Sequence, residues 1–128
     1  MAAIILLVAS CGKTEQNPLL SNFDTPHQTP PFGKIKAEHY EPAFDVAIEE
    51  AKKEVEQIAS SKETPTFENT IVALDNIGEK MNAISGIFFN LNACLTDSLM
   101  QDIAQNVSPK LTSFSHAIYM NPQLFERV

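Results

Sequence analysis

Residues 66–95 read Thr66-Phe-Glu-Asn-Thr-Ile-Val-Ala-Leu-Asp-Asn-Ile-Gly-Glu-Lys-Met-Asn-Ala-Ile-Ser-Gly-Ile-Phe-Phe-Asn-Leu-Asn-Ala-Cys-Leu95. Phe67, Ile71, Leu74, Ile77, Met81, Ile84, Phe88, Leu91 and Leu95 recur in it at intervals of three and four residues. That is the period of one helix face, and no strand pattern fits it. Thr66, following Pro65, is placed as an N-cap, and Glu68 sits where a carboxylate favours the positive helix end. A single helix over this stretch would be ~42 Å long at about 1.5 Å per residue, which implies an elongated molecule. Gly78 and Gly86 are the expected bends, each about 1 kcal/mol less favourable than Ala inside a helix.

Two further helices flank this one. Phe44, Ile48, Ala51, Val55 and Ile58 form a stripe in a helix starting near Glu38 or Pro42 and ending near Ser60. Glu49, Glu50, Lys52, Lys53, Glu54 and Glu56 fill its other face, which reads as solvated. Asp97 caps a helix from about Ser98 to Met120, with Leu99, Ile103, Val107, Leu111, Phe114 and Ile118 on one side. Pro109 lies inside it and is expected to kink or divide it near residues 105–108. Asn121-Pro122 then repeats a cap-and-proline start, and Leu124, Phe125 and Val128 follow. So short an apolar helix is not stable alone, so the chain is expected to be the front piece of a longer protein, truncated at residue 128. The alternative is that Leu124 and Phe125 cap a three-helix bundle.

Composition agrees with an all-α fold. Four Gly and no Trp in 128 residues argue against the many turns of a sandwich or barrel. The formal net charge of -7 has the wrong sign for a nucleic-acid binder. Two Cys are too few for a disulfide scaffold or a Cys-rich zinc module.

The N-terminus reads as a processing signal. Residues 2–9 are an uncharged apolar run too short to span a bilayer, and Val8-Ala9-Ser10-Cys11 resembles the lipobox of bacterial lipoproteins. Residues 1–10 are therefore expected to be a signal peptide and Cys11 the lipid-attachment residue. No Lys or Arg precedes Cys11, a departure from the signal pattern. The rival reading is an apolar tail tucked into the domain. Without lipid on Cys11, a Cys11–Cys94 disulfide is open; otherwise Cys94 reads as a buried or half-buried small hydrophobe. Residues 11–33, with Asn17-Pro18, Thr25-Pro26 and Pro30-Pro31, read as a tether without regular structure, in which Leu19, Leu20, Phe23 and Phe32 can pin the arm to a surface.

The order of short blocks along the chain is also informative. Asn17-Pro18-Leu19-Leu20, Pro30-Pro31-Phe32, Ile35-Lys36-Ala37-Glu38-His39-Tyr40 and Pro42-Ala43-Phe44 come first. Pro65-Thr66-Phe67-Glu68-Asn69-Thr70-Ile71, Phe88-Phe89-Asn90-Leu91, Ser108-Pro109-Lys110-Leu111 and Asn121-Pro122-Gln123-Leu124-Phe125 follow. Together they resemble the N-terminal region of bacterial peptidyl-dipeptidases (dipeptidyl carboxypeptidases), in the thimet oligopeptidase family of zinc peptidases. The resemblance implies a large, bilobed helical parent with a channel between its halves. It implies zinc on a distal His-Glu-x-x-His helix and removal of dipeptides from the C-terminus of short peptides. Residues 34–128 would then supply part of the channel wall, with the remainder of the polypeptide, short peptides and, through Cys11, a lipid membrane as partners. The location implied is the bacterial cell envelope, facing the periplasm.

The chain itself contains no His-Glu-x-x-His; its histidines are His27, His39 and His116. No catalytic, cofactor-binding or metal residue is therefore assigned in it, and alone it is expected to be inactive. Glu38-His39 reads as a structural hydrogen-bonding pair near a helix start, and His27 as solvated. Phe89, about 100° off the stripe that holds Phe88, either packs on absent protein or faces the channel. Two other readings stand beside this one: a small helical lipoprotein that binds a partner, and a self-associating helical hairpin.

Overall fold

The computed structural model describes residues 16–128, and among these it is helical with no strand. Cys11 and the apolar run at 2–9 lie outside the described residues. The principal helices are α1 (Tyr40–Ala59), α2 (Ala73–Asp75), α3 (Glu79–Cys94), α4 (Ser98–Tyr119) and α5 (Pro122–Arg127).

Helix α1 is the spine. A 3₁₀ turn at Ala37–His39 leads into it, and His39 Nδ1 accepts a hydrogen bond from the Lys36 N–H at 3.1 Å. Its expected stripe is buried at Phe44, Ile48, Ala51 and Val55, with Ile58 half-buried. A second track of Tyr40, Ala43, Ala47 and Ala59 is buried as well. One stripe serves one neighbour, but α1 packs against both α3 and α4, so it needs a wider apolar arc. The alanines bring those neighbours close. Tyr40 lies against Phe88 late in α3, while Ala51 and Glu54 meet Gly78 just before α3, so these two helices run antiparallel.

The stretch at 66–95 is not one helix. Thr66 does cap it: Thr66 Oγ1 accepts from the Asn69 N–H at 3.1 Å, and Asn69 Oδ1 accepts from the Thr66 N–H at 2.8 Å. The first turns, Phe67–Val72, are π-helical, followed by the single turn of α2. Gly78 then takes φ +69°, a left-handed conformation that favours glycine and ends the run. A Cβ there would lie 3.2 Å from the flexible tip of Met81, at Cε, and 3.4 Å from Ala51 Cβ, a tight fit that a small shift of Met81 relieves, so it is the positive φ that opposes a side chain. The Gly78 N–H donates to Glu54 Oε2 at 2.8 Å, so one carboxylate of the supposedly solvated face of α1 secures this turn. Gly78 is thus a break and not a bend, whereas α3 runs on through Gly86.

Helix α4 begins as expected, with Asp97 Oδ1 accepting from the Met100 N–H at 2.8 Å. It is not divided at Pro109. Ile103 and Val107 before the proline and Phe114 after it are all buried, so packing supports one continuous helix across it despite the lost donor. Lys110 adds a tie across to α1, donating to Asp45 and lying 3.7 Å from Glu41. Asn121 Oδ1 accepts from the Gln123 and Leu124 N–H groups at 3.0 and 3.1 Å and starts α5, whose Leu124 is buried.

The arm at 16–36 is more ordered than expected. It holds 3₁₀ turns at Pro18–Leu20 and Pro26–Gln28. Asn17 Nδ2 donates to the His39 carbonyl at 2.7 Å, and Leu19 is buried in the main core. Leu20 packs partly against that core, while Phe32 is exposed, so the arm is pinned at its start.

Candidate functional site

No predicted polar residue is drawn into a reactive cluster. His39 serves the turn before α1, while His27 and His116 are exposed. Glu38 is exposed and 3.7 Å from Lys36. Among the described residues no group of three His, Cys, Asp or Glu is arranged to hold a metal ion. Cys94 is exposed, which corrects the expectation of a buried thiol. It lies one residue before Leu95, where α3 has already left the packed layer and even Leu95 is exposed.

What the fold does build is apolar surface. At the start of α1, Tyr40 and Phe88 have ring centroids 4.9 Å apart, and Phe44 and Phe89 each meet Phe88 edge-on, at 5.7 and 5.0 Å. Phe88 is fully buried, and Phe89 keeps 37% of its surface in solvent while also lying 6.5 Å from Phe44. Phe89 therefore closes the outer edge of the cluster. The Tyr40 hydroxyl is buried without a hydrogen-bond partner, and burial pushes its pKa above the ordinary tyrosine value.

Helices α3 and α4 both lean on α1 and leave an open groove of about 440 Å³ between them. Leu74, Ile77, Met81, Leu111, Phe114 and Ile118 line it together with the polar Asp75, Asn82, Ser85 and Ser115. At the end of the bundle where α1 and α4 finish, Phe67, Tyr119, Met120, Phe125 and Val128 are exposed, Phe125 by 84%. This concentration lay partly hidden in the sequence. Phe67 was assigned to a continuous stripe, and the π-helical turns and the break at Gly78 separate it from the core.

The same end contains a cation that sequence reasoning passed over. Arg127 donates from Nη1 to the carbonyls of Ser61 and Glu63 at 2.8 and 3.2 Å, and Nη2 lies 3.5 Å from Asn69 Oδ1. Its Nε is buried with no partner. Only the spatial meeting of residues more than fifty positions apart reveals this arrangement.

No protein-family model matches the chain. It is 37% identical to a dipeptidyl carboxypeptidase of Salmonella typhimurium over 112 residues, covering 88% of this chain and 16% of that protein. It is 35% identical to a dipeptidyl carboxypeptidase of Escherichia coli over 115 residues, 90% of this chain and 17% of that protein. Oligopeptidase A of Escherichia coli is more distant, at 26% identity over 110 residues, 86% of this chain and 16% of that protein. The chain spans about a sixth of the length of the curated relatives it matches. Along nearly nine-tenths of its length, then, this helical chain is related to the dipeptidyl carboxypeptidases.

Proposed function

We propose that this chain is the N-terminal helical segment of a peptidase that removes dipeptides from the C-terminus of short peptides. In that reading it forms part of the wall of the substrate channel. One observation carries it: 37% identity sustained over 88% of the chain, against 16% of the relative's length. The apolar end near α5, where Phe67, Tyr119, Met120, Phe125 and Val128 are exposed, supports it, because exposed apolar side chains gathered at one end mark a surface made for contact.

The chain's own residues do not fit a catalytic zinc. The described residues bring no three ligand-type side chains together, and the three histidines stand at 27, 39 and 116, without the i,i+4 spacing of a zinc-binding helix. Zinc and the water it activates belong, in this proposal, to the remainder of the protein. The work of residues 34–128 is to shape and exclude. Cys11 carries lipid and holds the protein at the cell envelope, facing the periplasm.

Reading the natural gene past codon 128 and expressing its product tests the proposal. The expected outcome is an open frame containing His-Glu-x-x-His. Its product should release C-terminal dipeptides from N-blocked peptides and lose that activity to a chelator. A natural stop after Val128 would reject the peptidase reading and favour a small helical lipoprotein that binds a partner through its exposed faces. The anchor is tested separately: Cys11→Ser should move the protein from the membrane to the soluble fraction, and identical fractionation of the two forms overturns it.

A further inference from the structure

Helix α1 ends without a basic residue in its last turn, so its terminal carbonyls lack the usual local counter-charge. Arg127 brings a cation from 66 residues away to the loop just past the helix, with Nη1 at 2.8 Å from the Ser61 carbonyl. The same nitrogen reaches the Glu63 carbonyl at 3.2 Å, and Nη2 approaches Asn69 Oδ1 at 3.5 Å. Asn69 is already committed: its Oδ1 accepts from the Thr66 N–H at 2.8 Å, and its Nδ2 donates to the Thr64 carbonyl at 3.0 Å. One guanidinium therefore grips the whole connection from α1 to the π-helical turns. On the other side it is tied to α5, which holds to α1 through the buried Leu124.

All the oxygens that Arg127 contacts are neutral, and its Nε is buried unpaired. The contact therefore serves geometry more than net charge pairing: a planar fork of donors fits the carbonyls of a closed loop, and a point charge does not. We propose that α5 and residues 61–69 form one strap, latched by Arg127, that opens and closes as a single unit on a body made of α1, α3 and α4. Opening removes Leu124 from its seat and takes the bracing guanidinium from the Thr66–Asn69 cap, which then frays with it. It thereby uncovers apolar surface at the end of the bundle where Phe67, Tyr119 and Phe125 are already exposed.

Native-state hydrogen exchange on the protein as its natural gene encodes it, followed at these residues, tests this. Arg127→Gln should speed exchange of the Asn69 and Thr70 amides and of the α5 amides by similar factors, about tenfold or more. Amides in the middle of α1 and α3 should change by less than about threefold. Leu124→Val loosens the other end of the strap without touching the guanidinium, and it should speed exchange at Asn69 and Thr70 as well. Acceleration confined to one of the two segments, acceleration spread evenly through α1 and α3, or no change at Asn69 in Leu124→Val overturns the proposal. If Arg127→Gln does not fold, Arg127→Lys replaces it with the same required pattern, since a lysine keeps the charge and loses the fork.

Discussion

Helix α1 and the stretch from Phe67 to Leu95 carry equally regular apolar stripes, and the fold treats them differently. Every stripe residue of α1 is buried or half-buried. In the longer stretch Ile77, Met81, Ile84 and Phe88 are buried, whereas Phe67, Ile71 and Leu95 are exposed. The difference lies in neighbours. Helices α3 and α4 both pack on α1, while Phe67 opens the π-helical turns and Leu95 lies just past the end of α3. Periodicity identifies an apolar face, and only packing decides how much of that face is covered.

The contrast can be tested by substitution, beginning where the effect should be largest. Phe88→Ala removes the ring that joins Tyr40, Phe44 and Phe89, and should destabilise the chain by about 3–5 kcal/mol in denaturant unfolding. Gly78→Ala should cost about 1–2 kcal/mol, because the left-handed φ strains any residue with a Cβ and the Met81 tip must shift slightly to admit a methyl group. If this variant is as stable as the parent, the break is not held by glycine and the two halves of the stretch are coupled in some other way.

Tyr40→Phe should have the opposite sign. It removes a buried hydroxyl with no partner and should stabilise the chain by about 1 kcal/mol at neutral pH. The pH dependence follows from the raised pKa. The folded state holds the phenolic proton more tightly than the unfolded chain, so the contribution of Tyr40 is intact below about pH 10. It is lost as pH climbs through the folded value, and the phenylalanine variant should lack that part of the alkaline decline. The smallest effect belongs to the uncovered end: Phe67→Ser should change stability by less than about 0.5 kcal/mol, since its ring is 66% exposed. A loss comparable to that of Phe88→Ala would show that the two ends of the stretch are equally packed.

The local signals in the sequence were legible. Thr66, Asp97 and Asn121 cap the turns that their side chains announce, because a cap is a contact over two or three residues. Gly78 was recognised as a weak point, but a break depends on a φ value and on the Glu54 carboxylate 24 positions away. Pro109 does not divide α4, because buried side chains on both sides of it offset a local penalty that is all the sequence displays. The relationship to dipeptidyl carboxypeptidases was visible in the order of short blocks from Asn17 to Phe125. The Arg127 contacts and the groove between α3 and α4 were not visible, since they are properties of distance in space and leave no spacing in the chain.

The alanine track of α1 has a consequence for mutational tolerance. Ala43, Ala47 and Ala51 set the distance at which the neighbouring backbones stand, and each is almost wholly enclosed. Adding even two methyl groups at one of them would act as a wedge, prying α3 and α4 outward and widening the gap between them. A saturation library should therefore be intolerant of bulk along this track and permissive at Phe67 and Phe125, so that its smallest enclosed side chains limit change alongside its large buried rings.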